Sequence, residues 1–225
     1  MQTTEYAPGR LVDLFGEPAQ PPVVLWHGAQ TDARAAIRPL AELLAGHGLG
    51  VVVPDWNSHA DDGGRVDLLR SAHFARERAH QPDGLALVGW SLGGVAAAGL
   101  TIYARRIGVR VSHTVCLAGA FMAHDPISGE QLPTELPVGE DRAPFTLLHG
   151  VHDDVVPVEV SRAFASTLQQ NQWPVELAEL ATDHGAIAGA TYHSGADRYA
   201  AAEDADTLAV AAEVAARVAA AIAAK

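Results

Sequence analysis

The stretch Leu85-Ala86-Leu87-Val88-Gly89-Trp90-Ser91-Leu92-Gly93-Gly94, running on into the Ala-rich Val95-Ala96-Ala97-Ala98-Gly99-Leu100, decides the fold. An apolar run without polar alternation reads as a strand covered on both faces, as strands of parallel sheets are. Gly-X-Ser-X-Gly then turns the chain into a helix. A serine lifted clear of a sheet must occupy a strained strand-to-helix turn, and glycines on either side leave room for that backbone. The helix starting there aims its free N–H groups and positive dipole end at the same point. In a chain with 21 glycines the string arises by chance about 0.07 times. The strand before it and the helix after it therefore carry the weight, against a glycine-rich connection with an incidental serine.

The same alternation extends outward. Val23-Val24-Leu25-Trp26, Val51-Val52-Val53, Thr114-Val115-Cys116-Leu117, Phe145-Thr146-Leu147-Leu148 and Val175-Glu176-Leu177 read as further strands. Helices are expected from Pro39 to Gly46, over residues 65–80, 92–106 and 159–171, and after Asp204, a suitable N-cap. In the last of these Val210, Val214, Val218 and Ile222 form one apolar stripe. Strands alternating with helices predict an α/β domain with a mostly parallel sheet and helices on both faces, spanning residues 1–225. Residues 121–142, with Pro126, Pro133 and Pro137, form the one long stretch without periodicity, and are expected to make a short flap rather than a separate cap domain.

Composition bounds the partners. The 225 residues carry 15 basic and 27 acidic side chains, a net charge of −12, with 48% hydrophobic and 19% charged residues. That is a globular composition. The acidic balance argues against nucleic acid, whose phosphates need a basic face, and against anionic lipid. A single cysteine, Cys116, cannot form an internal disulfide and is read as a small core hydrophobe. No run of about 18 apolar residues suggests a membrane span, and Met1 to Arg10 lacks a basic start with an apolar core, so the expected location is cytoplasmic. A monomer or homodimer is expected.

A nucleophilic serine needs a base, and the base needs an orienting group. Downstream stand His149-Gly150-Val151-His152-Asp153-Asp154-Val155-Val156-Pro157 and Thr182-Asp183-His184-Gly185, each just past an expected strand. Strand ends of this kind are where ligands gather in open α/β sheets. The candidates are thus Ser91, Asp153 and His184. Asp154 adjoins Asp153 and competes for the acid role; Asp183, the direct neighbour of the histidine, is less suited to face its ring.

These segments, with His27-Gly28 after an early strand, resemble the α/β-hydrolase superfamily over nearly the whole chain from about Leu11. The resemblance implies Ser91 as nucleophile, His184 as general base and acid, and Asp153 as its orienter. It also implies an oxyanion hole from the N–H of Leu92 and a second donor after His27-Gly28, Ala29 or Gln30, with Ala29 preferred. The loop lacks the glycine run of lipase-type enzymes. In size and in lacking a cap the chain is similar to the dienelactone-hydrolase branch, where a cysteine usually stands in place of Ser91, so a small serine carboxylesterase is the closer match.

The expected activity is therefore hydrolysis of a small-molecule carboxylic ester with a short acyl chain, through an acyl-enzyme and without a cofactor. An acyltransferase, thioesterase or amidase with the same triad, or a non-catalytic ligand-binding relative, are the alternatives. Gln30, Trp90, Phe121 and Met122 are the expected substrate contacts. Among the eleven histidines, His149, His152 and His184 beside Asp153 and Asp154 allow a metal reading, but no HExxH-type spacing supports it, and no metal is expected. No phosphate-binding glycine loop is present.

Overall fold

The computed structural model describes residues 1–17, 22–78, 84–137 and 141–224. Its core is an eight-stranded sheet of β1 (Gln2–Ala7), β2 (Arg10–Phe15), β3 (Pro22–Trp26), β4 (Gly50–Pro54), β5 (Leu85–Trp90), β6 (Val111–Leu117), β7 (Phe145–Gly150) and β8 (Val175–Leu180). The spatial order is β1-β2-β4-β3-β5-β6-β7-β8. From β4 to β8 neighbours run parallel, while β1 and β2 pair antiparallel along one edge.

The apolar strands are buried on both faces because alternate side chains point to opposite sides. Val23 and Leu25 pack with Leu40 and Leu44 of α1 (Arg38–Gly46) and with Val214 and Val218 of the C-terminal helix. Val24 and Trp26 meet Leu68 and Ala72 of α2 (Arg65–Arg78) and Leu100 of α3 (Leu92–Ile102) on the other face. Phe145 and Leu147 extend that second face to Phe164 and Leu168 of α5 (Val158–Gln170), after the short α4 (Ala104–Ile107). The C-terminal helix α6 (Ala205–Ala223) starts where expected, with the Asp204 carboxylate accepting the Thr207 N–H at 2.8 Å.

Several expectations need correction. The helix expected over 92–106 is broken at Tyr103 into α3 and α4. That expected over 65–80 is described to Arg78, and residues 79 and 80 lie outside the described residues. The β1–β2 hairpin gives no continuous apolar run, because β1 is largely exposed and rich in Thr and Glu and β2 is interrupted by Asp13. A second, separate hairpin, β9 (Ala190–His193) with β10 (Arg198–Ala201), fills the stretch between His184 and α6. Among the described residues of 121–142 there is no helix or strand, and residues 138–140 lie outside them. No helix among the described residues is long and apolar enough to cross a membrane.

The sheet order places the site. From β3 the chain steps outward to β4, then crosses back to lay β5 on the other side of β3. The loops leaving β3 and β5 therefore part in opposite directions at the carboxyl ends of neighbouring strands. Such a reversal opens a crevice where ligands bind in open α/β sheets.

Candidate active site

Ser91 sits in that crevice at φ 56° and ψ −119°, between β5 and α3. Positive φ is uncommon for a residue with a Cβ, and such strain persists only where the surroundings impose it. Here the turn is wedged from both sides. A Cβ at Gly89 would run into the Gly93 carbonyl, and one at Gly93 would run into the His27 and Trp26 carbonyls. The Ser91 N–H and C=O are also held, by the Leu117 carbonyl at 2.9 Å and the Gly94 N–H at 3.0 Å. The glycines read in the sequence are thus spacers that let three backbone segments meet.

His184 and Asp153 converge from the ends of β8 and β7. The His184 Nδ1–H donates to Asp153 Oδ2 at 2.7 Å, and both side chains are buried. With the proton on Nδ1, the Nε2 lone pair is left for the cavity that His184 shares with Ser91. The other carboxylate oxygen, Asp153 Oδ1, accepts the N–H groups of Val155 and Val156 at 2.9 and 2.7 Å. Burial pushes the Asp153 carboxyl up, but hydrogen bonds from His149, His184 and Val156 together outweigh it and hold the group well below the usual carboxylate range. Asp154 is exposed and makes no such contact, and the Asp183 carboxylate is spent on the Gly185 and Ala186 N–H groups, which shapes the turn after His184.

His149, read in the sequence as a possible metal ligand, packs beside Asp153. It is fully buried, its Nε2 lies 3.3 Å from Asp153 Oδ2 and 2.9 Å from the Val156 carbonyl, and its Nδ1 is 2.6 Å from Ser161 Oγ. Asp153 is therefore gripped by imidazoles on two sides. His152 is exposed.

The loop after β3 leaves a backbone N–H unbonded among the described residues. The Gly28 carbonyl accepts His27 Nδ1–H at 2.9 Å and the Gln30 N–H at 2.8 Å. A trans peptide points its C=O and N–H in opposite directions, so the Ala29 N–H faces away from those donors. Neither Ala29 nor Leu92 donates its N–H to any of the described residues, whereas the Gln30 N–H is already used. Of the two alternatives left by the sequence, Ala29 keeps a free donor.

His27 makes this loop rigid. Its Nε2 accepts the N–H groups of Ala33 and Trp56 at 3.2 and 3.3 Å, and its ring stacks on Trp56 at 5.3 Å. Trp56 is thus a buried support and does not line the pocket. Both ring nitrogens of His27 are engaged as a neutral imidazole, and burial pushes its pKa down to about 3 from an ordinary 6.5. The unfolded chain binds this proton below pH 6.5 and the folded chain does not until about pH 3. The stability involved is whole above pH 6.5 and falls as the pH drops, by about 3 kcal/mol at pH 4. Urea unfolding between pH 4 and 6 should show a slope of stability on pH that His27→Gln reduces by about 1 kcal/mol per pH unit. His113, pushed down to about 4 by burial, keeps its share of the slope in that variant. An unchanged slope would contradict the neutral, buried assignment of His27.

The cavity in front of Ser91 has a volume of about 580 Å³ and includes Gly28, Ala29, Gln30, Trp90 and His184. A second cavity of about 580 Å³, lined by Asp154, Asp183 and Thr191, adjoins it across His184, Val155, Tyr192 and Tyr199. Trp90 is buried, and its Nε1–H donates to the His184 carbonyl at 2.8 Å. Tyr199 meets Trp90 edge-on at 4.9 Å and lies 5.9 Å from the His184 ring. Burial, with the charges of Asp153, Asp154 and Asp183, pushes its phenol up to about 12, so it remains a hydrogen-bond donor.

Phe121 and Met122 lie elsewhere. They line a separate groove of about 200 Å³ with Leu132, Val160 and Phe164, and Phe121 stacks on Phe164 at 4.1 Å. The Phe121 ring packs against α5, while Tyr192 and Tyr199 of the β9–β10 hairpin line the cavity in front of Ser91. Sequence reasoning misses Tyr192 and Tyr199 because the residues after His184 do not read as strands. Their signal is a Thr-Tyr-His and an Arg-Tyr-Ala flanking Ser194-Gly195, a short hairpin pattern.

No protein-family model matches the sequence, and no curated protein matches it. Solved structures do. An α/β-hydrolase enzyme, MGS-M1, from a Medee basin deep-sea metagenome library is similar at TM-score 0.70 and 18% identity, over 97% of each chain. Thermogutta terrifontis esterase 2 phosphorylated by paraoxon is similar at TM-score 0.68 and 18% identity, over 96% of this chain and 94% of that one. The same esterase with butyrate bound gives TM-score 0.64 and 16% identity over the same shares. The chain has the α/β-hydrolase fold.

Proposed function

We propose that the protein is a serine hydrolase of carboxylic esters. The observation that carries this reading is the convergence on one crevice of a strained Ser91, a His184 whose Nδ1 is fixed by a buried carboxylate, and two unspent backbone N–H groups. Ser91 Oγ attacks the acyl carbon while His184 Nε2 takes its proton. The N–H groups of Ala29 and Leu92 receive the oxyanion, the charge that develops only as the carbonyl becomes tetrahedral. His184 returns the proton to the leaving alcohol. Water then attacks the acyl-enzyme by the same route, releasing the acid and restoring Ser91.

Two features favour short acyl chains. The cavity in front of Ser91 mixes the polar Gln30, Thr31, His59, Asp197 and Arg198 with aromatic rings, and its aliphatic lining is limited to Ala29, Val155 and Ala196, too little to shelter a long chain. The apolar side chains of residues 121–142 that could shelter a long chain lie in a separate groove. The fold neighbour from Thermogutta terrifontis, an esterase captured with butyrate and with a phosphoryl group from paraoxon, agrees with this reading. On a panel of p-nitrophenyl esters, kcat/KM should be highest for acetyl to butyryl and at least tenfold lower for palmitoyl. Faster turnover of the palmitoyl ester, or of matched thioesters or amides, would redirect the substrate assignment.

A further inference from the structure

Gln30 contacts the protein on both sides of the site. Its backbone N–H closes the turn that holds the Gly28–Ala29 peptide, donating to the Gly28 carbonyl at 2.8 Å. Its side-chain amide reaches across the chain to β10. There Oε1 accepts the Tyr199 N–H at 2.5 Å, and Nε2–H donates to the Tyr199 carbonyl at 3.3 Å. A primary amide used in this way supplies the edge of the hairpin with the acceptor and donor that a further strand would supply. The orientation of the amide is set by its partners, since a backbone N–H can face only the oxygen.

The hairpin it holds is part of the cleft. Tyr199 and Tyr192 occupy paired positions on the two strands, with rings 5.2 Å apart, and both line the two cavities that meet at His184. The Tyr192 hydroxyl donates to Asp197 at 2.5 Å, so the hairpin is stapled to its own turn. It does not pair with the eight-stranded sheet.

We propose that Gln30 is a positioning residue whose side-chain amide ties the placement of the β9–β10 hairpin to the placement of the Ala29 N–H. Seating of the hairpin wall and readiness of the oxyanion donor become one event, because a single residue is bonded to both. This rests on the esterase reading for its catalytic consequence. It assigns Gln30 a role different from the expected direct contact with substrate, since both polar atoms of its side chain are already engaged.

Gln30→Met keeps the length of the side chain and removes both hydrogen bonds, while Gln30→Glu keeps the acceptor for the Tyr199 N–H. For Gln30→Met, kcat on a butyryl ester should fall about 10- to 100-fold, part of the 10²–10³ that loss of an entire oxyanion donor costs. Affinity for a trifluoromethyl ketone, which forms an oxyanion on the serine, should fall by a similar factor, with KM changed less than threefold. Gln30→Glu should recover a measurable part of both losses. Amide hydrogen exchange should rise together in peptides covering residues 28–31 and 190–201 of Gln30→Met. A Gln30→Met chain with kcat and ketone affinity within twofold of wild type overturns the proposal, as does exchange that rises in the hairpin alone. Failure of the wild-type chain to react with a fluorophosphonate overturns the esterase reading and takes the catalytic role of Gln30 with it. The exchange coupling separates the two failures, because it is read without turnover.

Discussion

Ser91→Ala should abolish labelling by a fluorophosphonate and lower kcat on a short-chain ester by about 10⁴- to 10⁶-fold, the range seen when the nucleophile of a triad is removed. The loss is large because no other hydroxyl stands on the strained turn, and the oxyanion donors alone leave only a residual rate. A second consequence separates chemistry from folding. Ser91 holds φ 56°, a conformation that a Cβ resists and glycine adopts freely. Ser91→Gly should therefore be as inactive as Ser91→Ala yet more stable than it by about 1 kcal/mol, raising the melting temperature by about 2–4 °C relative to the alanine variant. Calorimetry of the two variants checks this. Retained labelling in Ser91→Ala would move the nucleophile elsewhere, and equal melting temperatures would show that the turn holds no strain.

Asp153→Asn should lower kcat by about 10⁴-fold, while Asp154→Asn stays within about threefold of wild type. The reason lies in the donors that surround Asp153. Oδ1 accepts two backbone N–H groups, so the oxygen of an asparagine must stay on that side. Its NH₂ group would then face His184 Nδ1 at the position where Oδ2 now accepts at 2.7 Å, with His149 Nε2 on the other flank. His184 could pair with that amide only by moving its proton to Nε2. The nitrogen aimed at the cavity would become a donor, unable to take the proton of Ser91. Asp154 is exposed and bonds to none of these groups. A large loss confined to Asp154→Asn would reverse the assignment of the acid.

Legibility in the sequence has a physical cause. The strands β3 to β7 are legible because burial demands apolar runs, as in Leu85–Trp90 and Phe145–Gly150, whereas β8, at the sheet edge, is half-exposed and carries Glu176 and Glu179. The order Ser91, Asp153, His184 is legible because each lies just past a strand, and parallel strands bring their carboxyl ends to one edge. β1 and the β9–β10 hairpin are not, since half-exposed strands tolerate Thr, Glu, Arg and Ala at most positions, and in β2 Asp13 breaks the apolar run. Proximity in sequence to β6 suggests that Phe121 and Met122 reach the site, but a loop's side chains go where apolar partners are, here Phe164 on α5.

By itself, then, the sequence determined the alternating α/β architecture and which serine, histidine and carboxylates compete for the site, because periodicity and turn chemistry are local properties. Tertiary structure alone shows which carboxylate meets the His184 ring, which of the Ala29 and Gln30 amides is left unbonded, and which aromatic residues wall the cleft. Those choices depend on which donor faces which acceptor across long stretches of chain, and hydrogen-bond direction is not written in any one segment.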